Sequence, residues 1–301
     1  MNDIRFDERV AIVTGAGSGL GRCYALEFAK RGAKVVVNDP GGALDGSGNN
    51  AAAADKVVAE ITAAGGKAVA SYDSVASVEG GKNIVKTAVD AFGTVDILVN
   101  NAGILRDKSM LKLTEDDWDA VMNVHVKGAF CVTQPAFAVM KEKGYGRIVN
   151  TTSGAGLYGN FGQANYIAAK MALVGLMNSV ATEGAKSNIL CNCIAPVAAS
   201  RMTENIMPPD MLEKLKPEFI APLVLYLCSE NSKASKMIFN CAAGWFSRTE
   251  ILCAKGTVIG DGKRAIAAEE VADAWDIIAG LEDARPLSSV VESFSYLSGV
   301  L

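Results

Sequence analysis

Tyr166 and Lys170 stand at i and i+4 near the start of a segment with helical spacing, so one helix face brings a phenol beside an ammonium. A phenol titrates near about 10 and is a poor base at neutral pH, and a neighbouring cation favours its ionised form. The pair predicts an acid/base that takes a proton from an alcohol or returns one to a ketone. Ser153 lies just past an apolar, strand-like run, where its hydroxyl can hold an oxygen whose charge changes. Asn123, within Asn123-Val124-His125-Val126-Lys127-Gly128, can bond backbone or water and link Lys170 to solvent. Ser153 as a helix cap and Asn123 as a helix kink are the plain structural readings. Taken together, in this order along the chain, the residues predict a catalytic set.

A second group suits a dinucleotide. The first apolar run, Val10–Thr14, leads into Gly15-Ala16-Gly17-Ser18-Gly19-Leu20-Gly21, where a helix starts. Glycines permit a tight turn and a close backbone approach to a pyrophosphate, and the helix N-terminus offers free N–H groups and a favourable dipole. Gly15, Ser18, Gly19, Leu20 and Gly21 are therefore expected to touch the cofactor. The second run ends at Asp39, about 20 residues past the glycines, the position of a ribose-binding acid. Such a carboxylate bonds both ribose hydroxyls of NAD and repels the 2′-phosphate of NADP, and no lysine or arginine follows it directly. NAD is the predicted cofactor, and its oxidised nicotinamide would push the Tyr166 pKa further down. Asn101-Ala102-Gly103 closes another run with small residues against which a ligand can lie. Asp73 is placed to receive the adenine amino group or to cap a helix. Ser74 and Pro196, with Tyr166 and Lys170, complete the expected cofactor set.

These residues need a scaffold. Valine- and isoleucine-rich runs at Val10–Thr14, Lys34–Asp39, Lys67–Tyr72, Asp96–Asn100, Arg147–Thr151, Ile189–Ile194 and Lys236–Asn240 read as strands. Helical spacing fills Gly19–Arg31, Ala52–Ala64, Val78–Phe92, Thr114–Lys143, Gln163–Ala185 and Pro217–Cys228. Continuous apolar strands imply burial on both faces, and β-α-β alternation requires crossover helices. The expected fold class is α/β: a doubly wound (Rossmann) parallel sheet of about seven strands with helices on both faces and a C-terminal extension. Asp39–Asn50 is glycine- and asparagine-rich and reads as a loop. Residues 1–301 are expected to form one domain, with a core over 1–240 and an extension over 241–301. The extension carries a predicted helix at Ala268–Gly280 and would cover one face or make a dimer contact.

Composition narrows the function. The net charge of −4 argues against nucleic acid as a partner and against an anionic membrane surface. The polar first residues lack a signal-peptide pattern, and no stretch reaches membrane-spanning length, so a cytoplasmic setting is expected. Seven cysteines, none in a C-x-x-C pair, read as buried thiols in a reducing compartment, with no metal site. The single histidine, His125, lies in an apolar helical run and reads as a packing residue.

The glycine turn, Asn101-Ala102-Gly103, Asn123, Ser153 and Tyr166-x-x-x-Lys170 resemble the short-chain dehydrogenase/reductase family from about Phe6 to Asn240. The resemblance implies Tyr166 as catalytic acid/base, and Lys170 as the nicotinamide-ribose ligand that depresses the tyrosine pKa. It also implies Ser153 as oxygen stabiliser and Asn123 in a proton relay. Longer strings are similar to the (3R)-hydroxyacyl-CoA dehydrogenase branch, found in the multifunctional enzyme of peroxisomal β-oxidation. They include Val36–Asp39, Asp55–Ile61, Tyr72–Val75, Gly103–Asp107, Tyr158–Tyr166, Ser200–Thr203, Leu215–Leu227 and Ala243–Trp245. That branch implies an acyl-CoA substrate, NAD and a homodimer, although Gly299-Val300-Leu301 is not a peroxisomal S-K-L-type signal. A 3-ketoacyl carrier-protein reductase, a hydroxysteroid dehydrogenase, or a non-catalytic binding protein on the same scaffold are the alternatives.

Overall fold

A computed structural model of the chain describes residues 3–48, 50–198 and 208–297. The Ser200–Thr203 string and the Gly299-Val300-Leu301 end lie outside the described residues. The chain divides into two compact units, Met1–Arg248 and Thr249–Leu301.

In the first unit the strands are β1 (Val10–Thr14), β2 (Lys34–Asn38), β3 (Lys67–Ser71), β4 (Ile97–Asn100), β5 (Gly146–Thr151), β6 (Ile189–Val197), β7 (Ile238–Ala242) and β8 (Trp245–Thr249). They form one sheet in the order β3-β2-β1-β4-β5-β6-β7-β8, parallel from β3 through β7. The expected parallel sheet is thus present, with an eighth strand beyond Asn240. Ala243 and Gly244, both at positive φ (47° and 81°), join β7 to β8 in a two-residue hairpin.

Side chains alternate between two cores. Ala11, Val13, Val35 and Val37 face one layer with Phe6, Tyr24, Phe28 and Leu225. Val10, Ile12 and Val36 face the other with Ile84, Val132, Met140 and Met177. Burial of each large side chain stabilises by about 1.5–3 kcal/mol, which fixes the register. The first layer is built by α1 (Gly19–Lys30), α2 (Ala52–Ala63) and a later helix; the second uses α3 (Val78–Phe92).

The expected single helix over Thr114–Lys143 is interrupted. α4 (Glu115–Met122) begins with a capping box between Thr114 and Asp117, and α5 (Gly128–Lys143) ends at Gly144, φ 71°. Between them Asn123–Lys127 form a π-helical turn in which the Gly128 N–H donates to the Asn123 carbonyl. α6 (Gly154–Tyr158) was not foreseen, and α7 (Ala164–Gly184) carries Tyr166 and Lys170. α8 (Pro209–Lys214) follows. The predicted Pro217–Cys228 helix opens as a 3₁₀ turn over Pro217–Phe219 and becomes α9 (Ala221–Cys228), the later helix of the first layer.

In the second unit the expected Ala268–Gly280 helix divides at Ala274 into α10 (Ala268–Asp273) and α11 (Trp275–Ala279). Arg264 pairs with Glu270 at 2.6 Å, and a short β9 (Leu252–Cys253) pairs antiparallel with β10 (Arg285–Pro286). No described helix is long and apolar enough to cross a membrane.

Candidate active site

The strand order reverses between β1 and β4, which opens a crevice at their carboxyl ends. The segments on its two sides are stitched together. Thr14 Oγ1 accepts from the Asn101 and Ala102 N–H groups (3.0 and 3.1 Å), and Asn101 Nδ2 donates to the Thr14 carbonyl at 3.0 Å. A Cβ on Gly21 would stand 2.2 Å from the Gly15 carbonyl oxygen, and one on Gly15 would stand 2.8 Å from Ala102 Cα. These two glycines are required by packing. Gly19 differs: its φ is +53° and nothing lies within 4 Å of the place a Cβ would take. The first turn of α1 has no acidic residue, so the N-terminal dipole around Ser18, Gly19 and Leu20 suits an anion. These features fit a pyrophosphate.

Asp39 stands beside the turn. Its Oδ2 accepts from the Gly17 N–H at 2.8 Å and its Oδ1 from the Gly41 N–H at 2.7 Å, and a Cβ on Gly17 would be 2.8 Å from Oδ2. The carboxylate therefore holds the glycine turn and still has lone pairs for ribose hydroxyls. Asp73 accepts from Asn83 Nδ2 at 3.0 Å, and its own carbonyl accepts from Asn38 Nδ2 at 2.9 Å. The α3 cap is Ser77, so capping does not explain Asp73. Ser74 is exposed and accepts from the Ala76 N–H, and Pro196 lies near the carboxyl end of β6.

The chemical group assembles one strand further on. Ser153 follows β5 and caps α6, its Oγ accepting from the Ala155 N–H at 3.2 Å, and its hydroxyl pushes the Tyr166 phenol toward the phenolate. The helix-cap reading of Ser153 therefore holds. Lys170 Nζ sits 5.4 Å from the Tyr166 ring centroid and donates to the Thr151 carbonyl at 2.7 Å. Thr152 Oγ1 binds the Lys170 carbonyl at 2.6 Å, and a Cβ on Gly156 would be 2.7 Å from Lys170 Cβ, so α6 and the start of α7 are locked together. Asn165, fully buried, donates to the Arg106 and Asp117 carbonyls and accepts from the Tyr166 N–H at 2.8 Å. Sequence reasoning missed Asn165 and Thr14 as organising residues. The signal was a polar side chain at the end of an otherwise apolar element.

Burial dominates the electrostatics. Lys170 is 4% exposed, and desolvation drops its pKa from 10.5 to about 7. The Tyr166 pKa is raised, first by burial and then by Asp107, against the lowering by Ser153. The expected depression of the Tyr166 pKa is thus not a property of the chain alone: removing the phenolate from water outweighs the help it receives.

Asn123 opens the π-helical turn, as its reading as a helix kink expects. It is exposed, and its carbonyl is committed to the π-helical bond from Gly128. Two residues along a helix is roughly half a turn, so the face that meets Tyr166 belongs to His125. The imidazole lies edge-on to the Tyr166 ring, centroids 5.5 Å apart at 89°. Gly103 lies under that imidazole, because a Cβ there would stand 2.4 Å from His125 Cε1. Among the described residues no group of three or more His, Cys, Asp or Glu is placed to hold a metal ion.

Residues 9–209 match the short chain dehydrogenase family. The chain is 53% identical over 298 residues to peroxisomal multifunctional enzyme A of Dictyostelium discoideum, covering 99% of this chain and 65% of that protein. The structure of full-length peroxisomal multifunctional enzyme type 2 from Drosophila melanogaster superposes with a TM-score of 0.84 at 45% identity, covering 99% of this chain and 50% of that one. A short chain dehydrogenase from Mycobacterium avium superposes with a TM-score of 0.79 at 43% identity, covering 93% and 97%. The chain spans between 25% and 65% of the length of the multifunctional relatives it matches. With a fold, a glycine turn and a Ser-Tyr-Lys group of this kind, the chain belongs to the short-chain dehydrogenase family of oxidoreductases.

Proposed function

We propose that the protein oxidises the hydroxyl of a (3R)-hydroxyacyl-CoA to the ketone with NAD. The observation that carries the reading is the Tyr166 phenol, which Ser153 pushes toward the phenolate and whose ring centre lies 5.4 Å from Lys170 Nζ, on a sheet whose first crossover carries a glycine turn held by Asp39. Ser153 would hold the substrate oxygen while Tyr166 takes its proton. Lys170, fixed by the Thr151 carbonyl, supplies a cation that stabilises the phenolate and can reach a ribose hydroxyl. Bound NAD would accept the hydride from the carbinol carbon and add positive charge near the phenol. Asp39, with no adjacent basic residue, favours NAD over NADP.

The acyl-CoA substrate rests on similarity to the multifunctional enzymes and on the apolar character of the site's rim. Met110 and Leu111 (71% and 99% exposed) stand on one connection and Phe161 (90%) on another, and a Lys108–Gln163 bridge joins the two connections. The test is a panel of (3R)- and (3S)-hydroxyacyl-CoAs, a steroid alcohol and a carrier-protein substrate with NAD and NADP. NAD-dependent turnover of the (3R) series is expected, with Tyr166→Phe lowering kcat by about three orders of magnitude. Preference for the (3S) series, or a Tyr166→Phe variant as fast as the parent, refutes the reading.

A homodimer and a reducing, cytoplasmic setting are part of the same proposal. The exposed Trp275, Ile277, Val290, Val291 and Phe294 of the second unit support the first, and seven free thiols support the second. Removal of Ala268–Leu301 is expected to yield monomers in sedimentation; an unaltered dimer rejects that role for the tail.

A further inference from the structure

His125 is the only histidine in the chain and is 2% exposed. A buried imidazole needs partners, and this one has an unusual set. Nε2 lies 2.9 Å from the Ile104 carbonyl oxygen, and the Ile104 N–H points at the same nitrogen from 3.1 Å. Nε2 donates to the carbonyl in one tautomer and accepts from the N–H in the other, and in either case its partner is the Ile104 backbone, directly after Asn101-Ala102-Gly103, so the ring is pinned to the segment that closes the β4 side of the crevice. Gly103 is the floor beneath it, since any side chain there would strike Cε1. Its edge-on partner is the Tyr166 ring.

The imidazole's surroundings oppose charge. Lys170 and Tyr166, both from α7, are the titratable groups that face it, whereas the segment before Ile104 offers backbone. Burial and the Lys170 ammonium both push its pKa well below 6.5. Nδ1 is buried with no partner within the described residues, and a cavity of about 10 Å³, lined by His125, Thr14, Asn100 and Ala102, has room for about one water. A packing residue alone needs none of this, and a phenylalanine would fill the space without the peptide bonds.

We propose that His125 is a positioning residue for Tyr166: an imidazole, tethered to the Ile104 backbone and seated on Gly103, that sets the phenol ring where Ser153 and Lys170 meet it. The proposal rests on the hydride-transfer reading for its kinetic consequence, but not for its geometry.

The experiment uses the full-length untagged chain with acetoacetyl-CoA and NADH, together with His125→Phe and His125→Gln. The phenylalanine keeps a ring edge and loses the tether; the glutamine keeps an amide that can bond the Ile104 peptide. His125→Phe is expected to lower kcat about tenfold or more while the Kd for NADH stays within about twofold, and His125→Gln to recover part of the loss. Parental kcat in His125→Phe overturns the proposal, as does a loss of kcat matched by an equal loss of NADH affinity, which marks a general structural defect. If circular dichroism shows that His125→Phe does not fold, His125→Gln carries the same comparison of kcat with Kd against the parent. Because the chain has one histidine, nitrogen-15 labelling gives a single imidazole to follow. It is expected to titrate well below 6.5, and Tyr166→Leu should move its ring-proton shifts. A ring that titrates near 6.5, or shifts indifferent to Tyr166→Leu, overturns the placement. This arm decides even if the parent turns over no acyl-CoA, an outcome that would sink the hydride-transfer reading instead.

Discussion

Replacing Lys170 by methionine should abolish turnover and yet make the protein more stable. In the folded chain the ammonium is 4% exposed and its pKa falls from 10.5 to about 7, so the unfolded chain binds the proton more tightly between those values. Stability therefore rises with pH across that window, and below about pH 7 the full penalty for burying the charge is present. At about 1.4 kcal/mol per pH unit, the gap corresponds to about 4–5 kcal/mol at pH 6 and about 2 kcal/mol at pH 9. Methionine removes the penalty at similar volume but leaves the Thr151 carbonyl without its 2.7 Å donor, at a cost of about 1–3 kcal/mol. The net expectation is a gain of about 1–4 kcal/mol at pH 6 that shrinks by about 2–3 kcal/mol on going to pH 9. Urea denaturation of the cofactor-free parent and variant at both pH values measures it. A variant less stable than the parent at pH 6, or a difference independent of pH, would refute the claim that the cation is held against its own desolvation.

Asp39→Ala should relax cofactor choice toward NADP and loosen the turn that loses its bond to the Gly17 N–H; an unchanged ratio of NAD to NADP turnover counts against the ribose role. Asn123→Ala should change kcat by less than about twofold, because the side chain is exposed and the π-helical bond uses the carbonyl, which alanine retains. A loss of an order of magnitude in steady-state assays would return Asn123 to the proton route.

The fold was legible because parallel strands buried on both faces need apolar centres, and runs such as Val10–Thr14 and Lys34–Asn38 have them, with polar residues mostly at their ends. The glycine turn was legible for a related reason: Gly15 and Gly21 are positions where any Cβ meets backbone, so the residue type states the packing. The π-helical turn was not. It needs no special residue, and an apolar run such as Val124, Val126 and Ala129 reads the same with or without an added residue per turn. Yet that one residue decides which side of the helix faces Tyr166, and it turned an expectation about Asn123 into an observation about His125. The division of the tail at Ala274 escaped for a similar reason, since Ala268–Gly280 contains neither proline nor an internal glycine.

The two edges of the sheet treat buried charge in opposite ways. At the amino edge Asp96, with no exposed side-chain surface, accepts from the Val10 N–H at 2.9 Å and pairs with Arg9 at 3.0 Å and Lys143 at 2.6 Å. Both carboxylate oxygens that burial removes from water there are returned to donors, which is how a buried charge is kept. At the carboxyl edge Lys170 is given one carbonyl and no carboxylate, and Tyr166 is given Ser153 and an imidazole edge. A carboxylate beside Lys170 would lower the cost of burial, but it would also neutralise the field that favours a phenolate. The incomplete pairing is therefore what leaves the ammonium available to the phenol, and the amino edge supplies stability against which that cost is set.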